Sequence, residues 1–246
     1  MKNLKKILAA VLAIAMICCF AGCGKKDTLT MGTNASFPPY EYVDDEGNIV
    51  GIDAEIAKAI ADKLGMDLEI KDMAFESLIT ACQSKSVDVV LAGMTVSDER
   101  KESVNFSDSY ATGVQVIIVK EDSDIATVDD LEGKKIGTQS GTTGATYCKT
   151  DYGDDNVKEY DNGSLAVAAL QNDQVDCVVI DNEPAKNYVK ANKGLKILET
   201  EYVVEDYAIA IAKDNTELLE KVNKALSELK KDGTIDKIIS KYITAE

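Results

Sequence analysis

Two stretches, Val-Asp-Val-Val-Leu-Ala-Gly at residues 87–93 and Val-Asp-Cys-Val-Val-Ile-Asp at residues 175–181, decide the fold class. Each is an almost continuous run of apolar, largely β-branched residues, which is typical of a strand buried on both faces. Each also follows a segment with helical spacing, and this alternation predicts an α/β fold with a mostly parallel sheet. Because the alternation restarts after Gly113, we expect two such units.

The same criteria predict the other elements. The helix at 53–65 has apolar residues at helical spacing, with Asp53 as its N-cap and Gly65 just past its end. Pro38 and Pro39 exclude a helix and predict an extended loop. The other predicted strands are 29–33, 68–70, 114–119, 134–137 and 207–212, and the other predicted helices are 77–83, 164–171, 184–190, 216–230 and 235–242, with two more starting at Ser97 and within 140–147.

The composition excludes several classes of function. The chain has 246 residues, of which 45% are apolar, enough for one large or two small folded domains. Its formal net charge of −16 is unfavourable for nucleic-acid binding, because clustered basic residues are needed to neutralise phosphates. It contains no histidine, the commonest general base and metal ligand. We therefore expect no catalytic residue, no metal, no cofactor and no nucleic-acid partner.

The N-terminal residues predict export and lipid attachment. Three lysines precede an apolar run at 7–20, which is shorter than the roughly 20 residues of a membrane span. The following Phe-Ala-Gly-Cys resembles a bacterial lipobox, with phenylalanine where leucine is usual. We expect a signal peptide at 1–22, lipidation (palmitate) of Cys23 and a tether at 23–27, so that the lipid alone anchors the protein to the cell membrane outside the cytoplasm. A plain signal peptide cut near Ala21 and an uncleaved anchor are the alternatives.

Three cysteines, Cys82, Cys148 and Cys177, lie in the body of the chain. Their spacing matches no metal motif and their neighbours are apolar, so we expect buried, small apolar side chains. One disulfide among them stays an open alternative.

Arg100 is the first candidate for ligand binding, because it is the single arginine in the chain. Arginine is needed where a planar, permanently charged group must hold a carboxylate or phosphate through two hydrogen bonds. It falls in the first turn of the helix predicted at Ser97, where the helix dipole disfavours a cation. Gly93 and Thr95 lie in the loop before it, beyond the carboxyl end of a buried strand, where open α/β sheets bind ligands. An ordinary exposed arginine beside acidic neighbours is the alternative.

Three further features point to a small zwitterionic ligand. Ser-Gly-Thr-Thr-Gly at 140–144 offers backbone N–H groups and hydroxyls to an anion, although a simple capped turn has the same pattern. Asp181 ends the second buried strand, where it suits a ligand cation or the cap of the next helix. Phe37 lies in a loop and is suited to the wall of a pocket, whereas Phe75 fits a pocket or the core. Together with Arg100 they predict a site for a free α-amino acid between two lobes.

Five motifs resemble, in order, those of the extracellular amino-acid-binding proteins of ABC importers, solute-binding protein family 3. They are GTNASFPPYEY at 32–42, GIDAEIAKAIADKLG at 51–65, LAGMTVSDERKESVNFSDSY at 91–110, SGTTG at 140–144 and VVIDN at 178–182. The resemblance covers about 28–245 and implies a periplasmic-binding-protein-like fold of type II, with two α/β lobes that are joined by two crossing strands and close on the ligand. The lobes would be 28–112 plus 208–246 and 113–207. The implied partners are a free amino acid and ABC transporter permease subunits, and the protein would be a monomer and not an enzyme.

The resemblance also implies a role for each candidate. Arg100 would bind the ligand α-carboxylate and Asp181 its α-ammonium group. Asn34 and Gln139 fall where members of the family differ and would set selectivity. The other ligand-binding residues would be Ala92, Gly93, Thr95 and Thr143 around the charged groups of the ligand, and Phe37 and Phe75 as apolar walls.

The identity of the bound amino acid stays open. Asn34 and Gly144 stand where relatives that prefer basic ligands often have an acid and a glutamine, which favours a polar, glutamine-like ligand. A nearby Glu41, Glu76 or Glu183 would reverse that inference in favour of arginine or lysine, and cystine is a further alternative. A dehydratase-type enzyme on the same scaffold and the sensing part of a receptor are alternatives of another class.

Overall fold

The computed structural model describes residues 27–199 and 201–243. The helices in these ranges are α1 (Ile52–Leu64), α2 (Leu78–Gln83), α3 (Asp98–Ser103), α4 (Thr143–Tyr152), α5 (Gly163–Gln171), α6 (Asn182–Ala191), α7 (Thr216–Lys231) and α8 (Thr234–Tyr242). The strands are β1 (Thr28–Thr33), β2 (Ser36–Phe37), β3 (Glu41–Val43), β4 (Ile49–Val50), β5 (Asp67–Asp72), β6 (Val89–Val90), β7 (Val104–Phe106), β8 (Ala111–Lys120), β9 (Ile136–Gln139), β10 (Val157–Tyr160), β11 (Cys177–Asp181), β12 (Leu195–Ile197), β13 (Val203–Tyr207) and β14 (Ala210–Ala212). The predicted signal peptide, Cys23 and the tether up to residue 26 lie outside the described residues.

The first lobe is built around a five-stranded sheet with the order β5-β1-β6-β14-β7. Strand β1 is parallel to β5 and β6, whereas β14 is antiparallel to β6 and β7. Helices α1, α7 and α8 pack against one another, and their apolar faces bury Ile56, Ile60 and Leu226 against Leu29 and Met31 of the sheet. The C-terminal helices therefore return to the sheet that the N-terminal residues begin.

The second lobe is built around a six-stranded sheet with the order β10-β9-β11-β8-β12, in which β13 also pairs with β8. Strands β9, β10 and β11 are parallel, and β8 runs antiparallel to β11. Its core includes Ile117, Val119, Ile136 and Val179, all buried. The two stretches at 87–93 and 175–181 thus supply an inner strand to each sheet, as their composition predicts.

Two antiparallel segments connect the lobes. Strand β8 pairs with β13 from Gln115 opposite Val203 to Ala111 opposite Tyr207. The pairing continues through a hydrogen bond from the Tyr110 N–H to the Tyr207 carbonyl at 2.9 Å and then through β7 and β14 in the other sheet. These segments are the two crossing strands that the family resemblance implies.

Asp53 does not cap α1, contrary to the prediction. The helix follows Gly51, and the buried Asp53 carboxylate instead accepts hydrogen bonds at 2.8 Å from the Gly93 N–H and the Tyr110 hydroxyl. Gly51 has a φ of 127°, and a Cβ there would lie 2.2 Å from the carbonyl oxygen of Tyr40. Close backbone contact with Pro39 and Tyr40, rather than a side-chain cap, therefore fixes the start of this helix. Gly65 does end the helix in the left-handed conformation, as predicted.

Other elements also differ from the predictions, and strands β7, β10 and β12 were not predicted. Strand β6 covers only Val89–Val90 of the run at 87–93, and just before it the Asp88 carboxylate accepts the Thr30 N–H at 2.8 Å. The strand predicted at 207–212 divides into β13 and β14, one for each sheet. The predicted extended loop after β1 contains the small antiparallel sheet β2-β3-β4.

The three cysteines are free and buried, in agreement with the expected small apolar side chains. Burial raises the pKa of the Cys82 thiol to about 11 and that of Cys148 to about 12. These thiols are therefore protonated at neutral pH.

Candidate functional site

A small cavity lies between the two lobes. All ten residues predicted from the sequence to bind the ligand line it, namely Asn34, Phe37, Phe75, Ala92, Gly93, Thr95, Arg100, Gln139, Thr143 and Asp181. Glu41 and Thr142 also line it and were not among the predicted residues. The fold therefore brings together residues that are separated by up to 147 positions in sequence.

Arg100 is oriented by both lobes. Ser97 caps α3 by accepting the Arg100 N–H at 3.2 Å, which fixes the backbone of the arginine. Its Nη1 donates to the Thr95 carbonyl at 2.8 Å, and its Nη2 donates across the cleft to the Gly141 carbonyl at 3.0 Å. Its guanidinium carbon lies 5.4 Å from the centre of the Phe75 ring, at the range of a cation–π contact. A guanidinium has five N–H donors, so three remain for an anion in the cavity.

The loop at 92–95 passes close to the cavity because of Gly93. Its φ is 52°, and a Cβ there would lie 2.9 Å from the Phe37 ring. The Gly93 N–H is held by the Asp53 carboxylate, while Thr95 forms a β-bridge with Tyr207 of the crossing strand. The loop is therefore fixed from behind by buried polar contacts.

The second lobe supplies the opposite wall at the start of α4. Thr142 caps this helix by accepting the Ala145 N–H at 3.2 Å. The Thr143 hydroxyl donates to the Thr95 hydroxyl at 3.5 Å across the cleft. The N-terminus of α4 carries a partial positive charge and free N–H groups, which favour an anion at this wall.

A second pair of contacts crosses the cleft at its other side. Gln139 donates from Nε2 to Asn34 Oδ1 at 3.0 Å, and Asn34 donates from Nδ2 to the Met73 carbonyl at 2.9 Å. The hydroxyl of Tyr188 donates to the Ser36 carbonyl at 2.7 Å. Both lobes are thus in direct contact around the cavity.

Asp181 is the acid of the second lobe and is only 7% exposed. It occupies the N-cap position of α6 but makes no capping bond. Its carboxylate instead accepts hydrogen bonds from the Tyr207 hydroxyl and, at 2.9 Å, from Gln115 Nε2. Burial raises the pKa of Asp181 to about 7, the nearby Glu205 adding to the rise and the two hydrogen bonds opposing it. A ligand cation would stabilise its ionised form.

Glu205 lies behind the cavity and was not predicted from the sequence. It accepts hydrogen bonds from Thr95 Oγ1 at 3.3 Å, Gln115 Nε2 at 3.0 Å and the Tyr147 hydroxyl at 2.9 Å. Through these bonds one buried acid on a crossing strand connects the loop of the first lobe to α4 of the second. Its sequence signal is weak, because acids are frequent throughout this chain.

Glu41 is a fully buried acid that lines the cavity from the first lobe, whereas Thr142 lines it from the second. It stands directly across the β2-β3 pair from Phe37, so both side chains project from the same face. Neither oxygen of its carboxyl group accepts a bond from a donor among the described residues. Burial raises the pKa of Glu41 well above its usual range, and the neighbouring Asp53 raises it further. An acid followed by a turn signal does not reveal such burial in the sequence, because the β2-β3 pairing is not predictable there.

The described residues contain no group of three or more His, Cys, Asp or Glu side chains that could hold a metal ion. In the same part of the chain, no helix is long and apolar enough to cross a membrane. The charged groups that face the cavity are one guanidinium and two carboxyl groups. This set can bind a small zwitterion and one additional positive charge.

The chain is similar in sequence and in structure to known amino-acid-binding proteins. The model of the bacterial extracellular solute-binding proteins, family 3, matches residues 29–245. The arginine-binding extracellular protein ArtP of Bacillus subtilis is 38% identical over 256 residues, covering 99% of this chain and 100% of ArtP. Two solved structures of an ancestral arginine-binding protein are each 48% identical and cover 89% of this chain and 99% of their own. The one bound to glutamine has a TM-score of 0.85, and the one bound to arginine has a TM-score of 0.84.

Proposed function

Because the chain belongs to the bacterial extracellular solute-binding proteins of family 3, we propose that it binds a free L-amino acid between its lobes and delivers it to an ABC permease. The two-lobed fold with two crossing strands is that of the periplasmic binding proteins, as the similarity to the solved structures confirms. The ten predicted residues are the ligand-binding set of this proposal. The observation that carries it is their convergence on one cavity between the lobes.

The main-chain groups of the ligand are held by opposite charges from the two lobes. The ligand α-carboxylate binds Arg100 and the N-terminal turn of α4, where Thr143 faces Thr95. The α-ammonium group binds Asp181. Each of these contacts is a charge-assisted hydrogen bond in a cleft that excludes water, which increases its strength.

Arginine is the ligand that the cavity favours. Its α-groups neutralise Arg100 and Asp181, and its guanidinium is left to neutralise Glu41. A glutamine leaves Glu41 as a buried acid without a cation. Of the two side chains only that of arginine gains an ion pair with Glu41, and this gain outweighs the preference for glutamine that Asn34 suggests.

Glutamine is the second candidate, favoured by the amide groups of Asn34 and Gln139 at the same cavity. The ancestral relative has structures with both amino acids, which supports a site that takes either side chain. Lysine and cystine remain alternatives on the same binding mechanism.

Transport follows from closure of the lobes. We assign 28–112 plus 208–246 to the first lobe and 113–207 to the second. The open form exposes Arg100 and Asp181 to water, and a ligand that contacts both lobes shifts the population to the closed form. The permease then distinguishes the closed, loaded monomer from the open one.

Export and anchoring complete the proposal. Lipidation of Cys23 after removal of residues 1–22 would hold the protein at the outer surface of the cell membrane, near the permease. The match to a family of extracellular solute-binding proteins favours transport over a dehydratase-type reaction.

A thermal-shift screen of the twenty amino acids tests the binding proposal. A ligand that binds only the folded protein raises the apparent Tm by mass action. We expect the largest rise with L-arginine and a smaller one with L-glutamine. A screen in which no amino acid raises the Tm would contradict amino-acid binding, and one in which only an apolar or acidic amino acid does would contradict the proposed ligand class.

A further inference from the structure

Glu41 and Asp53 form a pair of buried carboxyl groups beside the cavity. Glu41 lies on β3 and Asp53 in the first turn of α1, and both are fully buried. A backbone hydrogen bond from the Asp53 N–H to the Tyr40 carbonyl, at 2.9 Å, holds the two elements together next to Glu41. The close packing at Gly51 excludes any side chain that would separate them.

The hydrogen bonds around the pair leave room for one shared proton. Asp53 Oδ2 accepts from the Gly93 N–H and the Tyr110 hydroxyl, whereas Asp53 Oδ1 and both Glu41 oxygens have no donor among the described residues. The backbone bond from Asp53 to Tyr40 places the two carboxyl groups next to each other, and each perturbs the pKa of the other. Two ionised carboxylates would repel in this position, so a single proton between them satisfies both orphaned faces.

The surroundings favour protonation of Glu41 rather than Asp53. Asp53 has two donors that stabilise its charge, and burial raises its pKa only to about 6. The groups that face Glu41 from the packed elements are acids or phenols, namely Asp53 on α1, Asp72 at the end of β5, Asp181 at the end of β11, and Tyr40, Tyr110 and Tyr188. Arg100 is the cationic side chain that lines the same cavity, and it donates hydrogen bonds to the carbonyls of Thr95 and Gly141.

We infer that the proton shared by Glu41 and Asp53 selects the charge of the ligand side chain: a neutral side chain binds with the proton retained, and a cationic side chain binds with the proton released. This inference rests on the proposed function and adds a mechanism of selectivity to it. Glu41 is the group that contacts the ligand side chain, and Asp53 is a positioning residue that acts through Glu41. A cavity with this pair accommodates arginine and its neutral analogues without burying an uncompensated charge in either case.

Calorimetry with L-arginine and L-citrulline tests the inference, because citrulline is the neutral isostere of arginine. Titrations at one pH in buffers of different ionisation enthalpy give the number of protons released on binding. Protons that leave Asp181 are common to both ligands and cancel in the difference. We expect arginine to release about one proton more than citrulline near neutral pH, and its affinity relative to citrulline to rise about tenfold for each pH unit over the range in which the pair titrates.

Glu41→Gln retains the shape of the side chain and removes the titration. We expect the variant to release equal numbers of protons with both ligands, to lose at least about tenfold in arginine affinity and to keep citrulline within about threefold. Glu46→Gln, in the exposed turn of the same β3-β4 hairpin, is the matched control and should behave as the wild type.

The outcomes separate this inference from the proposed function. Equal proton release by arginine and citrulline in the wild-type protein would overturn the shared proton while leaving amino-acid binding intact. The wild-type measurement needs no variant, so a Glu41→Gln protein that fails to fold does not rescue the inference. An absence of binding by any amino acid would overturn both.

Discussion

At the residue scale, the site depends on a few side chains whose type is dictated by charge and geometry. Position 100 requires a planar cation whose N–H groups reach carbonyls in both lobes. A lysine would offer only a single ammonium group there. Position 181 requires an acid, and hydrogen bonds from Tyr207 and Gln115 stabilise its charge inside the buried cleft. These requirements explain why the only arginine of the chain lies at this cavity.

Asp181→Asn should weaken arginine binding by at least about tenfold, because the ammonium group loses its buried counter-charge.

In the wild-type protein, arginine affinity should fall as the pH is lowered below about 7, since the raised pKa of Asp181 means that a proton must leave on binding. The measurement is calorimetry between pH 5.5 and 8, with the exposed Asp155→Asn as control. Affinity that rises as the pH falls would contradict the role of Asp181.

At the element scale, the 92–95 loop is defined by a glycine in the left-handed region. Gly93 has a φ of 52° and lies against Phe37, and its N–H is bound to Asp53. The loop therefore joins the strand end, the apolar wall and the buried acid pair. A change in this one backbone position affects all three.

Gly93→Ala should reduce both stability and binding. The new Cβ would lie 2.9 Å from the Phe37 ring at a strained φ, for a cost of roughly 1–3 kcal/mol. Gly47→Ala is the matched control, because Gly47 has a φ of 85° but no atom within 4 Å of its Cβ position. We expect urea unfolding to show a loss in both variants and calorimetry to show weaker arginine binding in Gly93→Ala alone. Equal arginine affinity in the two variants would argue against a role of the loop in the site.

The elements that the sequence predicts correctly are those with a strong local pattern. The helix from Asn215 onward is amphipathic and capped, and the run at 175–181 is almost continuously apolar, so both are found close to their predicted bounds. The β2-β3-β4 sheet has strands of two or three residues and no such pattern. Asp53 satisfies every local criterion for an N-cap, but a tertiary contact with Gly93 determines its position instead.

All ten predicted site residues line one cavity. Composition and local patterns indicated six of them, namely Phe37, Phe75, Gly93, Thr95, Arg100 and Asp181, whereas the family resemblance implied the roles of Asn34, Ala92, Gln139 and Thr143. Glu41 and Glu205 could not be assigned in the same way. Each becomes buried only through pairing between distant segments, Glu41 against α1 and Glu205 on a crossing strand, and neither carries a local signal that separates it from the many surface acids.

At the scale of the whole molecule, the buried acids link stability to pH. Burial raises the pKa of Asp53 to about 6 and that of Asp181 to about 7, and it raises the pKa of Glu41 as well. A carboxyl group whose pKa is raised by folding stabilises the folded state below its unfolded pKa, and that contribution is lost as the pH rises through the folded value. At neutral pH the ionisation of these buried acids therefore lowers the free energy of unfolding of the ligand-free protein, and a bound cation reduces this loss.

The free energy of unfolding of the ligand-free protein should decrease between pH 5 and pH 8, by at least about 2 kcal/mol. Surface acids with lowered pKa values, such as Asp44 and Asp232, lose their contribution only at lower pH and do not reverse this trend. Urea unfolding followed by circular dichroism at the two pH values measures it. Greater stability at pH 8 than at pH 5 would contradict the raised pKa values of the buried acids.

The hydrogen bonds of Arg100 across the cleft couple ligand binding to the relative position of the two lobes. Arg100 bonds to Thr95 in its own lobe and to Gly141 in the other, so its position reports directly on closure. A ligand carboxylate bound at the same guanidinium would stabilise that arrangement. Binding and closure are therefore expected to depend on the same side chain.

Calorimetric titration of L-arginine into Arg100→Ala and into the wild-type protein tests the central claim most directly. Removing the guanidinium leaves the ligand carboxylate without its counter-charge, which costs about 3–5 kcal/mol, or roughly a hundredfold or more in affinity. Lys101→Ala, which removes an exposed cation from the next position, should bind as the wild type does. Loss of binding in Arg100→Ala alone is the predicted result, and near-wild-type affinity in a folded Arg100→Ala protein would contradict the account.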